Sequence, residues 1–127
     1  MKFQPESLDG TNAITRHDSA GIWVGARQHA GPVVVPWTGE VRAWRVAGFD
    51  SLAVEHFDEL AALKPELVIF GSGARLRFPA PALLRGLIGA RIGVETMDSA
   101  AACRTFNVLA SEGRSVVAAL LLGAAGG

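Results

Sequence analysis

The sequence predicts a three-layer α/β domain that contains a mixed central sheet, short crossover helices and a small N-terminal antiparallel meander. In residues 10–46, short segments rich in β-branched and aromatic residues alternate with Gly, Pro, Asp and Ser, as in a meander. From about Leu52 onward, apolar runs of strand length alternate with segments at helical spacing, which implies crossover connections in a parallel or mixed sheet. Half of the 127 residues are hydrophobic, which suffices for one core. We therefore assign residues 1–122 to one domain and 123–127 to a flexible C-terminal tail.

The predicted meander has four strand segments, residues 13–15, 21–24, 33–35 and 41–46. In the last segment apolar and charged residues occur on both faces, so at least one strand is expected to have an exposed face or edge. The meander also contains Trp23, Trp37 and Trp44, which either pack against the sheet or form an interaction patch for a partner.

The second half begins with a helix, because Phe57 and Leu60 lie at helical spacing and Pro65 closes the segment. Residues 67–70 form a continuous apolar run, which predicts a buried strand. A short helix is predicted to begin at Pro81 and to end at Gly89 with a left-handed cap.

The last three elements are a strand, a helix and a strand. Residues 91–95 are predicted to form the first of these strands. Ser99, or Asp98 if the boundary shifts by one, is predicted to cap a helix that ends near Gly113. Residues 115–122 are then predicted to be the final buried strand.

The small residues Gly71, Ser72 and Gly73 follow a predicted strand, where a phosphate-binding loop would begin. However, Leu76 replaces the third glycine of G-x-G-x-x-G, and the Gly-Lys-Ser/Thr of a P-loop is absent. A nucleophile elbow would need glycine at Phe70 and at position 74. These residues are therefore interpreted as a turn, and a binding crevice with exposed backbone N–H groups is the functional alternative.

Two side chains of the last helix, Arg104 and Asn107, share its polar face. Either they project toward the crevice at residues 71–73, or they form a solvated face. Glu112 and Arg114 flank the end of this helix, where an arginine meets the last carbonyls favourably, so a structural role is at least as well supported as a catalytic one.

The loop residues Arg75 and Arg77 would lie on one side of an extended segment and could hold an anionic group or an acidic partner. A solvated loop is the favoured interpretation. Cys103 is interpreted as a small buried hydrophobic residue, and the three histidines lack metal-ligand spacing. We therefore predict no metal and no cofactor.

Charge and cysteine usage limit the function classes. Lys plus Arg and Asp plus Glu both number 12, without a basic run, so no nucleic-acid role is predicted. The single cysteine excludes an internal disulfide, and the first residues lack the apolar core of a signal peptide. Residues 116–122 are too short to span a bilayer. These features predict a cytoplasmic protein without membrane insertion.

Three ordered motifs resemble those of domain-of-unknown-function family 498. They are FGSGARLRFP at residues 70–79, GVETMDSAAACRTFNVL at 93–109 and EGR at 112–114. The resemblance covers nearly the whole chain. Eukaryotic members of that family include the mitochondrial respiratory complex I assembly factor 3 and the adipogenesis-associated domain protein.

The resemblance implies a three-layer α/β domain with a mixed sheet beside a small antiparallel sheet, and it implies no established enzymatic activity. Carried over by position, the crevice candidates are Gly71, Ser72, Gly73, Met97, Ser99, Arg104, Asn107, Glu112 and Arg114. Three positions depart from the family pattern: Ser72 and Ser99 stand where threonine is common, and Phe106 where tyrosine is common. A phenolic hydrogen bond at position 106 is therefore lost.

From these features we expect a small non-enzymatic protein that binds a protein partner, as in assembly or maturation of a larger respiratory complex. A homo-oligomer is also compatible with the sequence. The alternative is a small-anion-binding protein or an enzyme that uses the crevice at residues 71–73 with Arg104. An open concave crevice with convergent donors would favour this alternative.

Overall fold

The computed structural model describes residues 10–123 and contains two sheets and three α-helices. The predicted tail beyond residue 123 lies outside the described residues. A three-stranded antiparallel sheet has the order β1-β2-β3, and a five-stranded mixed sheet has the order β5-β4-β8-β6-β7. The strands are β1 Ile14–Asp18, β2 Gly21–Val24, β3 Arg27–His29, β4 Val33–Pro36, β5 Arg42–Ala43, β6 Leu67–Gly71, β7 Gly93–Met97 and β8 Val116–Leu120. The helices are α1 Val54–Ala61, α2 Arg85–Gly89 and α3 Ser99–Ser111, with 3-10 turns at Phe49–Ser51 and Pro81–Leu84.

The central sheet separates two hydrophobic layers, which confirms the three-layer α/β prediction. Alternate residues of β6 point to opposite faces, so Ile69 packs with α3 and the three-stranded sheet. Phe70 packs on the other face with residues of α1 and α2. Strands β6, β7 and β8 are parallel, and β4 runs antiparallel to β8. The carboxyl ends of β6 and β7 therefore meet at one edge of the sheet.

The predicted meander was wrong in its second half. The segment at 33–35 pairs with β8 and lies inside the central sheet, and the segment at 41–46 keeps only the short strand β5. Val33, Val34 and Val35 are fully buried, and a strand buried on both faces needs a layer on each side. The three-stranded sheet cannot supply that environment, because its β1 and β3 are largely exposed.

Two predicted boundaries also differ. Gly89 is the last residue of α2 rather than a left-handed cap, and the left-handed residue is Arg91, with φ 61°. The N–H groups of Arg91 and Ile92 reach back to carbonyls of α2, which turns the chain before β7 begins at Gly93. In the described residues 10–123, no helix is long and apolar enough to cross a bilayer.

Candidate functional site

Gly71 ends β6 at a point where no side chain fits. A Cβ at this position would lie 2.8 Å from Cδ2 of Leu120, 2.9 Å from Oγ of Ser99 and 3.1 Å from Cβ of Ala102. Gly73 requires glycine for a different reason, because its φ of 106° is strained for a residue with a side chain. These two glycines therefore serve close packing and chain reversal.

Two buried serines tie the turn to neighbouring elements. The Ser72 hydroxyl donates to the carbonyl of Arg75 at 2.7 Å and accepts from the N–H of Arg77 at 3.0 Å. The Ser99 hydroxyl donates to the carbonyl of Leu121 at 2.6 Å and accepts from the N–H of Gly73 at 2.9 Å. We call Gly71, Ser72, Gly73 and Ser99 the strand-end junction. Its hydroxyls are committed to the backbone, so neither serine is presented as a nucleophile.

The backbone N–H groups of the junction are also occupied. The N–H of Ser72 donates to the carbonyl of Met97, and the N–H of Ser99 donates to the carbonyl of Gly73, both at 2.9 Å. Asp98 caps α3, since its Oδ1 accepts from the N–H of Ala101 at 2.8 Å. The capping prediction is therefore confirmed for Asp98. An anion would find few free donors at this turn.

A cavity of about 240 Å³ opens beside the junction. We call it the strand-end depression, and its lining residues are Pro32, Ala47, Gly48, Phe49, Ser72, Gly73, Ala74, Arg75, Arg77, Leu121 and Leu122. Both loop arginines that the sequence placed on one side thus line the same space. Arg77 forms an ion pair with Asp50 at 3.1 Å, and its guanidinium stacks 4.0 Å from the Phe49 ring centre. Arg75 is exposed and has no ion pair among the described residues.

The same loop exposes two large apolar side chains. Leu76 is 51% exposed and Phe78 is 69% exposed, the latter more than any other large hydrophobic residue described. Neither lines the depression, so they form a separate ridge beside the arginines. We call Leu76 and Phe78 the loop ridge. The sequence signal for this ridge is the alternation of apolar residues with arginines directly before a proline.

Arg104 and Asn107 lie elsewhere, beside β1. They line a separate cavity with Cys103 and residues 14–17. The Asn107 side chain accepts from the N–H of Ile14 and donates to its carbonyl, both at 2.8 Å, which fixes β1 against α3. The structure therefore does not bring Arg104 or Asn107 to the turn at residues 71–73.

The remaining crevice candidates have structural contacts. Met97 packs against the core next to α3, and Glu112 forms the carboxyl cap of α3. Arg114 donates to Glu66 at 3.0 Å. A hydrogen bond from the backbone N–H of Ser115, followed by the bond from Arg114, lowers the pKa of the Glu66 carboxyl. This exposed cluster joins the end of α3 to the start of β6.

The three tryptophans differ in exposure. Trp44 is only 1% exposed and donates from Nε1 to the carbonyl of His56 at 3.2 Å, so it is a core residue and no partner surface. Trp37 is half-buried and packs against both core layers. Trp23 is half-buried beneath the guanidinium of Arg16, 4.4 Å from the ring centre. Trp23 and Trp37 are therefore both partly accessible, and Trp23 lies beside an exposed cation.

Cys103 is 2% exposed, and burial raises the pKa of its thiol to about 11 despite the nearby Arg104. The thiol is therefore protonated at neutral pH and is a poor nucleophile. Burial also lowers the pKa of His29, whose Nε2 is buried without a hydrogen-bond partner. Within residues 10–123, no three His, Cys, Asp or Glu side chains come together as a possible metal site.

Comparison with known proteins places these features in a family. A family model described as "Protein of unknown function (DUF498/DUF598)" matches residues 14–121. The chain belongs to this DUF498/DUF598 family. The matched range includes the junction, the loop ridge and every lining residue of the depression except Leu122.

Relatives and solved structures agree with this assignment. The chain is 34% identical over 110 residues to the Bos taurus NADH dehydrogenase (ubiquinone) 1 alpha subcomplex assembly factor 3, covering 85% of this chain and 59% of that protein. It thus spans less than two thirds of that relative. A Bordetella parapertussis crystal structure has a TM-score of 0.84 at 32% identity, covering 91% of this chain and 98% of the other. A Bordetella pertussis solution structure, described as a Mth938-like domain, has a TM-score of 0.83 at 26% identity, covering 98% and 94%.

Within this DUF498/DUF598 domain, Phe106 occupies the position where tyrosine was expected from the family pattern. Its ring is fully buried in the layer between α3 and the central sheet. A phenylalanine needs no hydrogen-bond partner there, so the substitution suits a purely apolar position. Phe106 therefore contributes to the hydrophobic layer between α3 and the central sheet.

Proposed function

We propose that this chain assists the assembly or maturation of a larger complex by binding a protein partner, without catalysing a reaction. Relatives in the DUF498/DUF598 family are named as complex I assembly factors, which supports an assembly-related role. The state of the side chains that could act as nucleophiles supports a non-enzymatic role. The hydroxyls of Ser72 and Ser99 are bonded to the backbone, and the pKa of the Cys103 thiol is raised.

The loop ridge is the observation that carries the proposal. Phe78 exposes 69% of its surface and Leu76 exposes 51%, although both belong to a well-packed domain. A large exposed aromatic ring such as that of Phe78 is a good anchor, because it buries much area with few rotamers to order. The buried Pro79 restricts the backbone directly after them, and the Ser72 hydroxyl bonds to the backbone of Arg75 and Arg77 within the loop. Arg75 beside the ridge adds an unpaired cation for an acidic group of the partner.

The test compares affinity capture by three tagged proteins: wild type, the double variant Leu76→Ala/Phe78→Ala, and Val108→Ala. Val108 is 55% exposed on α3, on the opposite layer, so it controls for loss of any exposed apolar side chain. Wild type and Val108→Ala are expected to recover the same partner. The double variant should recover little of it, because truncating an anchor typically costs about 2 kcal/mol or more of binding free energy.

Binding constants measured with the purified partner complete the test. Circular dichroism must show that all three proteins are folded. Equal affinity in the wild type and the double variant would remove the loop ridge from the interface and leave Trp23 as the next anchor to examine. A loss of equal size in Val108→Ala would also contradict the proposal.

A further inference from the structure

We propose that the strand-end depression binds a small carboxylic acid with a short hydrocarbon body. The site does not include Leu76 or Phe78 and does not depend on the proposed partner, although Arg75 belongs both to this site and to the proposed partner surface. It combines two arginines, an apolar floor and a restricted volume of about 240 Å³. Among the described residues, none that lines it is acidic.

Of the two arginines that line the depression, Arg77 has its side chain already held in position by other contacts. Its backbone N–H is held by Ser72, its guanidinium lies on Phe49, and one nitrogen contacts Asp50 at 3.1 Å. A guanidinium already fixed in this way loses little freedom when a ligand arrives. Since Asp50 accepts from one terminal nitrogen only, other donors of the guanidinium are available to a second anion.

Arg75 is the arginine of the depression whose guanidinium is available to a ligand. It is exposed, makes no ion pair among the described residues and lines the same depression as Arg77. A guanidinium binds a carboxylate through two parallel N–H donors, which fixes both position and orientation. The carboxylate is therefore expected to bind Arg75 primarily, with Arg77 as the second contact.

The apolar lining and the volume of the depression determine which hydrocarbon body the ligand can carry. Phe49, Leu121 and Leu122 line the depression together with Pro32 and Ala47. An apolar cavity of about 150 Å³ holds one benzene molecule. The depression, at about 240 Å³, therefore has room for a ring or short chain together with a carboxylate.

The surrounding donors favour a carboxylate over a phosphate. Phosphate sites in α/β proteins use several free backbone N–H groups at a turn. Here the N–H groups of Ser72 and Gly73 already donate to Met97 and Ser99 at 2.9 Å. Because these two N–H groups are occupied, a carboxylate, which needs only two parallel guanidinium donors, fits the site better than a phosphate with further acceptor oxygens.

The experiment titrates 3-phenylpropionate into the isotopically labelled protein and follows backbone amide chemical shifts. Saturable shifts are expected at residues of the depression. Two matched probes measure the contributions of charge and of apolar contact separately. The alcohol 3-phenylpropan-1-ol has the same hydrocarbon part without the charge, and inorganic phosphate has charge without the hydrocarbon part. Both should bind at least about tenfold more weakly than 3-phenylpropionate.

Three variants identify the residues. Arg75→Ala should weaken 3-phenylpropionate binding about tenfold or more, while Arg104→Ala, an exposed arginine in the other cavity, should leave it unchanged. Asp50→Asn should tighten binding, because it frees Arg77 from its ion pair. No saturable shifts, equal binding of phosphate, or unchanged affinity in Arg75→Ala would overturn the proposal.

A carboxylate on a partner protein would offer the same chemistry, and the double variant Leu76→Ala/Phe78→Ala separates the two sources. Neither side chain lines the depression, so a free acid should bind this variant with wild-type affinity. If binding of 3-phenylpropionate falls in that variant, the ridge and the depression act as one surface. That result would overturn the proposal of a separate small-molecule site.

Discussion

The strand-end junction and the loop that follows it are adjacent in sequence but opposite in character. In the junction, Ser72 and Ser99 are 5% and 3% exposed, and their hydroxyls bond to backbone groups of neighbouring elements. Only a few residues later, Arg75, Leu76 and Phe78 are exposed. The small polar residues at the strand end therefore hold neighbouring backbone segments together by hydrogen bonds. The larger side chains of the loop provide the accessible surface.

This difference shows why a family motif is not by itself a binding site. The junction supplies the glycines and hydroxyls that sequence analysis associates with ligand binding, yet it satisfies its own donors. The loop supplies Arg75, which makes no ion pair among the described residues, and the exposed side chains of Leu76 and Phe78. If this division is correct, substitutions in the junction should change stability, and substitutions in the loop should change binding.

The largest expected effect is that of Gly71→Ala. The added methyl group would lie 2.8 Å from Leu120 and 3.1 Å from the Cβ of Ala102, and neither neighbour can move freely in a packed core. Overpacking of this kind costs about 1–3 kcal/mol of unfolding free energy, and we expect the upper end of that range. Urea denaturation followed by circular dichroism measures the change.

Gly31→Ala is the matched control, because its Cβ would meet nothing within 4 Å and its φ is not positive. Its denaturation midpoint should remain within experimental error of the wild type. Equal midpoints for Gly71→Ala and Gly31→Ala would show that the junction tolerates extra volume. That result would contradict the expected role of the junction in stability.

The next effect is that of Ser99→Ala. Removing the hydroxyl leaves the carbonyl of Leu121 and the N–H of Gly73 without this partner inside the protein. Leaving buried polar groups unsatisfied costs about 1–3 kcal/mol of stability, and we expect a value near the middle. Ser111→Ala provides the control, since that serine is exposed at the end of α3. A Ser99→Ala variant as stable as Ser111→Ala would contradict the structural role.

A smaller effect is expected for Asp98→Ala, which removes the cap of α3 at the edge of the junction. The Asp98 carboxylate accepts one backbone N–H at 2.8 Å, and loss of such a cap costs about 1 kcal/mol. The free energy of unfolding from urea titration is the measurement. A cost greater than that of Ser99→Ala would reverse the order that burial predicts.

Much of the fold follows from local pattern. The sequence indicated the first helix by its helical spacing, the strand β6 by its apolar run at 67–70, and the start of the next helical segment by Pro81. These signals are reliable because periodicity and backbone restriction are properties of short segments. The pairing of β4 with β8 was missed, since the two strands are distant in sequence and only their full burial distinguishes β4 from a meander strand.

The candidate site was predictable only in part, for a similar reason. The sequence predicts that Arg75 and Arg77 share one side of an extended loop because they are two residues apart, and both line the depression. For Arg104 the sequence leaves two positions open, the crevice at residues 71–73 or a solvated helix face, because side-chain direction along α3 depends on which face packs. That face is set by Ala102, Phe106 and Ala110, and it leaves Arg104 beside β1.

The smallest expected effect on stability is that of Leu76→Ala/Phe78→Ala. Since both side chains are mostly exposed, their loss should change the unfolding free energy by less than about 0.5 kcal/mol for each substitution. Thermal and urea denaturation of the double variant, compared with Val108→Ala, measure this directly. A wild-type melting curve together with lost partner binding would place binding in the loop and stability in the junction. A loss of several kcal/mol would instead mean that the ridge supports the fold, and the two regions would no longer differ in the way proposed here.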